Sequence, residues 1–238
     1  TNRGDSWEII SPDLTSNDPK RINGKGHIQF CTITSIAESP IEKGVIWVGT
    51  DDGKVWLTRD NGANWKELTT AIEKAGGPSN KWVSRVLPSW TGAGIAYVAK
   101  NGFRNDDFSP YLFKTTDYGN TWQPVMQGLP NKPLNVVVED RQNNNLLFVG
   151  NDAGVYVSFN GGKNSRSLQG NMPVVPVHDL KIHPREKDLV VGTYGRGIWI
   201  GDISYLEEMS EDVFKNDAYL FSVEEKYYQV AGYQFIVP

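Results

Sequence analysis

An eight-residue phrase recurs along the chain and constrains its fold more than any other feature. It reads Thr58-Arg59-Asp60-Asn61-Gly62-Ala63-Asn64-Trp65, then Thr115-Thr116-Asp117-Tyr118-Gly119-Asn120-Thr121-Trp122. A weaker copy follows at Ser158-Phe159-Asn160-Gly161-Gly162-Lys163-Asn164-Ser165, and Asn2-Arg3-Gly4-Asp5-Ser6-Trp7 has the form of the end of another. An Asp side chain at the third place can accept hydrogen bonds from amides just ahead of it and hold a tight turn. The glycine allows a backbone conformation that a Cβ obstructs, and the indole covers the hairpin as the next strand begins. Asp60, Gly62, Trp65, Asp117, Gly119, Trp122, Asn160 and Gly162 are therefore read as folding residues, with structural and not catalytic carboxylates. Ser165 stands where the third copy should have Trp; losing a buried Trp costs ~3–5 kcal/mol, so that hairpin is expected to be the weakest.

Alignment on the phrase exposes a module of four short strands. The first strands are Ile28 to Ile36, Trp82 to Leu87, Leu134 to Glu139 and Val177 to His183. The second are Val45 to Gly49, Ile95 to Ala99, Leu146 to Gly150 and Leu189 to Gly192. Turns such as Asp51-Asp52-Gly53 and Asp152-Ala153-Gly154 lead to the third, and the repeated phrase joins third to fourth. Four antiparallel strands recurring every ~40–60 residues describe a β-propeller blade; a two-sheet sandwich would not require so regular a turn. The all-β reading is about four four-stranded blades within 1–203 (27–70, 82–127, 134–170 and 177–203), with 1–10 as an orphan outer strand. First and second strands, apolar on both faces, suit sheets packed between neighbours. The last module lacks the phrase and hence its outer strand. Either the orphan strand completes the last blade and closes a four-bladed ring, or it ends a blade whose inner strands lie elsewhere; four blades is few for a closed ring, so the arc is expected to be part of a larger or tandem propeller, with the remainder of a parent polypeptide as a partner. Residues 204–238 read as an exit segment, with a helical spacing over 205–214 and a strand over 218–223.

Composition narrows the function. Lys plus Arg number 24 against 28 Asp plus Glu, a net charge of −4; without a basic stripe this argues against nucleic acid. No apolar run approaches a membrane span. Cys31 is the only cysteine, which excludes an internal disulfide, and its surroundings read as a buried strand where the thiol packs as a small hydrophobe. No signal peptide or lipidation motif stands in the sequence. His178 and His183 are spaced poorly for a shared metal, so no metal or cofactor is expected.

With its modules laid out, the chain resembles the Asp-box (BNR-repeat) propellers, in particular the sortilin-like branch found in large secreted bacterial proteins. The resemblance is carried by the repeated phrase together with Trp82-Val-Ser-Arg-Val-Leu-Pro-Ser89, Arg104-Asn-Asp-Asp-Phe-Ser-Pro-Tyr111, Asn145-Leu-Leu-Phe-Val-Gly150, Val174-Val-Pro-Val-His-Asp-Leu-Lys-Ile-His-Pro184 and Gly192-Thr-Tyr-Gly-Arg-Gly-Ile-Trp199. It implies an exported, secreted or cell-surface protein. The boxes specify fold and not function, since sialidases, xyloglucanases, an assembly factor and sorting receptors share them.

The candidate ligand-binding residues are Arg85, Arg104, Asn105, Asp106, Asp107, Tyr194 and Arg196, and the loops around Arg85, Arg104 to Asp107, Glu139 and Tyr194 to Arg196 are expected to form one ligand-binding face. The arginine fork suits carboxylates, and Asn101 to Pro110 is the one long insertion between second and third strands, where binding residues concentrate. Glycoside hydrolysis needs two facing carboxylates, for which Asp106, Asp107 and Glu139 are the catalytic candidates. Asp106 also has a simpler reading, as an acid that holds its loop through backbone amides. Trp90 reads either as a sugar-stacking platform or as an ordinary turn aromatic. No complete catalytic set is present, so the expected role is a scaffold binding protein, peptide or glycan, with a sialidase- or xyloglucanase-like hydrolase as the alternative.

Overall fold

The computed structural model describes residues 4–22, 30–210, 212–222, 226–230 and 233–237, the last two by their backbone alone. Residues 1–3 and 23–29, and with them part of two expected strands, lie outside the described residues. After a helical turn, α1 (Pro19–Ile22), blade 1 comprises β1 (Ile33–Glu38), β2 (Ile46–Thr50), β3 (Val55–Thr58) and β4 (Trp65–Glu67). The short helix α2 (Thr69–Lys74) leads to blade 2: β5 (Trp82–Pro88), β6 (Ala96–Asn101), β7 (Tyr111–Thr115) and β8 (Gln123–Pro124). Blade 3 is β9 (Leu134–Glu139), β10 (Leu147–Asn151), β11 (Gly154–Ser158) and β12 (Arg166–Ser167); blade 4 is β13 (Val177–Ile182), β14 (Asp188–Thr193) and β15 (Ile198–Asp202). Each blade is an antiparallel meander in sequence order, four-stranded except for the last, which has three strands. The helix α3 (Ser204–Glu207) and a separate hairpin, β16 (Lys226–Val230) with β17 (Tyr233–Val237), follow.

The three repeated turns are built bond for bond alike. The opening hydroxyl donates to the third side chain (Thr58 to Asp60 2.8 Å, Thr115 to Asp117 2.8 Å, Ser158 to Asn160 2.9 Å) and accepts from the glycine amide at 2.9 Å each time. The same Oδ1 takes the amide of Asn64, Thr121 or Asn164. Asn160 thus replaces aspartate without loss of geometry, because only its carbonyl oxygen is used. Two successive positive-φ residues bend each turn (Asn61 and Gly62, Tyr118 and Gly119, Gly161 and Gly162). The first of each pair donates its amide to the turn between first and second strands, at Gly44, Gly94 and Asn145. Ser165 is buried and forms its hairpin without the indole, anchored by its amide on Gln127 O.

A second repeating device joins blade to blade. Every innermost strand bulges at its second or third residue, and the bulged side chain reaches the next blade's inner strand. Thr34 Oγ1 donates to Val83 O at 2.8 Å, Ser84 Oγ to Leu134 O at 2.8 Å, and Asn135 Nδ2 to Val177 O at 3.0 Å. Apolar layers fill the three spaces: Trp47, Phe113 and Trp122 between blades 1 and 2, Tyr97, Leu112 and Leu147 between 2 and 3, Phe148, Leu180 and Val191 between 3 and 4.

Several expectations need correction. Residues 5–10 form no strand; they lie against blade 1, with Trp65 Nε1 donating to Ile10 O at 2.9 Å and Trp56 Nε1 to Leu14 O at 2.6 Å. β1 and β13 are not apolar and buried on both faces, because each borders the uncovered outer side of an end blade. Cys31 is partly buried and precedes β1 instead of lying in it. Among the described residues of the exit segment, helix forms at 204–207 and as a 3-10 turn at Val213–Lys215, and 218–222 is not a strand; Leu206 packs into the core of blades 3 and 4 and Phe214 against Phe159.

Candidate ligand-binding face

Strand direction divides the candidates between two opposite ends of the blades. Connections between second and third strands lie at the end where inner strands begin; the repeated turns lie at the other. The insertion after β6 and the loop after β14 occupy the first end, and Arg85 projects from β5 close to it. Glu139, the last residue of β9, lies at the second end. The expected single face holding Arg85, Arg104 to Asp107, Glu139 and Tyr194 to Arg196 is therefore corrected: Glu139 does not belong to it.

At the first end the central feature is an ion pair reaching from blade 2 to blade 4. Arg85 Nη2 meets Asp179 Oδ1 at 2.6 Å, while Arg85 Nε is buried with no hydrogen-bond partner among the described residues. Asn135 accepts from Asn101 Nδ2 at 2.8 Å and donates to Asp152 Oδ1 at 2.9 Å, so side-chain amides join blades 2 and 3. In the insertion, Phe103–Asn105 form a 3-10 turn closed by Asp106 in the left-handed region at φ 54°. Arg104 lies over the Trp82 ring at 4.8 Å. Asp107 holds the loop: Ser109 N donates to Oδ1 at 3.1 Å, Tyr111 OH to Oδ2 at 2.8 Å, and Lys81 Nζ stands 3.7 Å away. Partial burial acts to raise its pKa, but the bonds from Ser109 and Tyr111 and the Lys81 charge prevail and keep it below the ordinary carboxylate range. Asn105 and Asp106 are exposed. Tyr194 is exposed and stacks on His178 at 5.3 Å, and Arg196, also exposed, offers its carbonyl to Trp199 Nε1. Among the described residues, no hydrogen bond or ion pair joins the Arg104–Asp107 group to Tyr194 or Arg196.

At the second end, Glu139 is buried and fully engaged: Oε1 accepts from Ser89 Oγ and Oε2 from Trp90 N, each at 2.9 Å. Desolvation raises its pKa despite those bonds and the nearby Lys114. Asp140 takes the amides of Gln142 and Asn143. Both acids cap the turn that follows an inner strand, and Ser39 and His183 accept turn amides at the matching places in blades 1 and 4. They flank a cleft of about 220 Å³ that includes Trp90, Arg141, Lys181, His183 and Arg185. Arg141 covers the Trp90 ring at 3.9 Å, so the indole is a packed turn aromatic and not a bare platform. The sequence reading missed Arg141 and Arg185, whose signal was only a basic residue in each of two aligned turns. No cluster of metal-ligating side chains occurs among the described residues, and no helix there is long and apolar enough to cross a membrane.

No protein-family model matches the chain, and no curated protein matches it. Solved structures do, at the level of fold. An ancestral GH74 enzyme is 21% identical with a TM-score of 0.59 over 81% of this chain and 24% of its own. The GH74 xyloglucanase of Xanthomonas campestris is 13% identical, TM-score 0.53, over 71% and 29%. YCF48 from Cyanidioschyzon merolae is 18% identical, TM-score 0.50, over 70% and 52%. The chain thus spans about a quarter of the two GH74 chains, and with the four radial sheets these likenesses make it an all-β propeller arc of about four blades.

Proposed function

We propose that the chain is a secreted propeller segment of the Asp-box, sortilin-like kind that serves as a binding scaffold for a protein, peptide or glycan. The ligand would meet the end of the blades that carries Arg85, Arg104, Asn105, Asp106, Tyr194 and Arg196. The observation that carries this reading is the state of the acids. Asp107, Glu139 and Asp140 accept hydrogen bonds from amides or hydroxyls on two sides, which leaves Asp106 without a partner acid for glycoside hydrolysis. Arg85 keeps a buried, unpartnered Nε beside an ion pair, a donor suited to a ligand oxygen.

The second reading, part of a glycoside hydrolase acting on extracellular carbohydrate, draws on the GH74 neighbours, whose likeness extends to the fold alone. One experiment separates the two. On a panel of glycans and peptides, the purified chain is expected to retain ligand without releasing sugar, and Arg85→Ala/Arg104→Ala is expected to weaken retention about tenfold or more. Sugar release that disappears in Asp106→Asn/Asp107→Asn would establish the hydrolase instead.

A further inference from the structure

The turns that follow three inner strands meet at the second end of the blades. Trp90 follows β5, Arg141 follows β9, and His183 and Arg185 follow β13, whose Lys181 adds a cation from the strand itself. Together they line the cleft of about 220 Å³. That is less than the ~300–1,000 Å³ of a site for a drug-sized molecule, so the cleft suits a single end group. Its walls are braced in the empty protein. Glu139 accepts Trp90 N at 2.9 Å, and the Trp90 ring carries the Arg141 guanidinium at 3.9 Å. Asn143 Nδ2 donates to Glu207 O at 2.9 Å and Met209 O at 3.2 Å, which clamps the turn bearing Arg141 between blade 2 and the end of α3.

The charges of the cleft do not cancel. Among the described residues its cations are Arg141, Lys181, Arg185 and Lys187, and its carboxylates are Glu139, Asp140 and Glu207. Every one of these acids is already engaged: Glu139 by Ser89 and Trp90, Asp140 by two turn amides, and Glu207 by Lys187 at 3.5 Å. The side chains of Lys181 and Arg185 have no hydrogen bond or ion pair among the described residues, and Arg141 has only the indole. His183 contributes a further donor. Its Nδ1 accepts Glu186 N at 3.1 Å, which places the proton of the neutral ring on Nε2. In a chain of net charge −4, this cleft presents donors whose local acceptors are used up.

We propose that the cleft binds a phosphate or sulfate group, free or as the end of an ester. Three cations on two turns and a strand, with Nε2 of His183, match a tetrahedral anion that offers three or four oxygens. A carboxylate offers two and would leave donors unmet. The site lies at the opposite end of the blades from Arg85 and Arg104 and stands independently of the role proposed for them.

An NMR titration of the full chain at constant ionic strength tests this, with inorganic phosphate, inorganic sulfate, methyl phosphate and acetate as probes. Saturable shifts are expected with the first three at the amides of Arg141, Gln142, Arg185 and Glu186, and not at those of residues 103–107. Acetate is expected to bind at least about tenfold more weakly than phosphate. Arg141→Gln and Arg185→Gln, both at exposed positions, should each weaken phosphate binding about tenfold or more. Lys74→Gln, which removes an exposed cation on α2, should leave it unchanged. The tighter of phosphate and methyl phosphate identifies the free anion or the ester as the source. A cleft without saturable shifts, acetate binding equal to that of phosphate, or binding that survives both arginine substitutions would each overturn the proposal.

Discussion

Trp47→Ala is expected to lower the free energy of unfolding by ~3–5 kcal/mol. Trp47 on β2 is completely buried and meets Trp122 of blade 2 edge to face, at 6.2 Å between ring centres. It therefore spans the space between the two blades. Its indole N–H has no partner, so truncation removes dispersion and buried area without stranding a hydrogen-bond acceptor. Urea unfolding should show a lower midpoint with an unchanged slope. Trp90→Ala, which removes a partly exposed ring packed beneath Arg141, should cost clearly less.

Lys100→Met is expected to change the pH dependence of stability more than any surface charge would. Lys100 on β6 is fully buried, and Nζ donates to Gly53 O at 2.9 Å and Pro78 O at 2.6 Å, tying blade 2 to the loops of blade 1. Desolvation brings its pKa down to about 7, against the weaker pull of Glu73. The unfolded chain keeps this proton up to about 10.4, so between pH 7 and 10 the unfolded state binds more protons and stability rises with pH. Below pH 7 both states are protonated and the cost of burying the charge is fully present. Methionine has no charge to bury. The stability of Lys100→Met relative to the parent should therefore fall by about 1.4 kcal/mol per pH unit from pH 7 upward and level off below it. Chemical denaturation at pH 6, 8 and 9 checks this; a difference independent of pH would contradict it.

How far the sequence reached depended on whether a feature was local. The turns at Asp60, Asp117 and Asn160 were legible because the hydrogen bonds of these side chains close within four residues, and they carried the strand order with them. The loop-holding role expected of Asp106 falls to its neighbour Asp107, which takes Ser109 N and Tyr111 OH. Contacts between blades were not legible. Nothing local marks Thr34, Ser84 and Asn135 as links, although alignment on the boxes places a polar residue at that position in every inner strand. Nothing local marks Lys100 either, because its carbonyl partners lie 47 and 22 residues away. Glu139 was assigned to the wrong end because the direction of its strand, and not its neighbours in sequence, decides which face it meets. Residues 5–10 have strand composition but pair with no sheet among the described residues, so propensity alone did not make them a strand.

The account stands or falls on the carboxylates being held by the fold and unavailable for catalysis. Titration of the side-chain carboxyl groups by ¹³C NMR measures this most directly. Asp60, Asp107 and Asp117 should titrate below the ordinary carboxylate range, through the Asn64 bonds for Asp60 and, for the other two, through hydrogen bonds that outweigh partial burial. Glu139 alone of the four should titrate above it, from burial. An Asp107 or Asp117 that titrates above the ordinary range would mean the amides do not hold it, and would return these acids to the list of catalytic candidates.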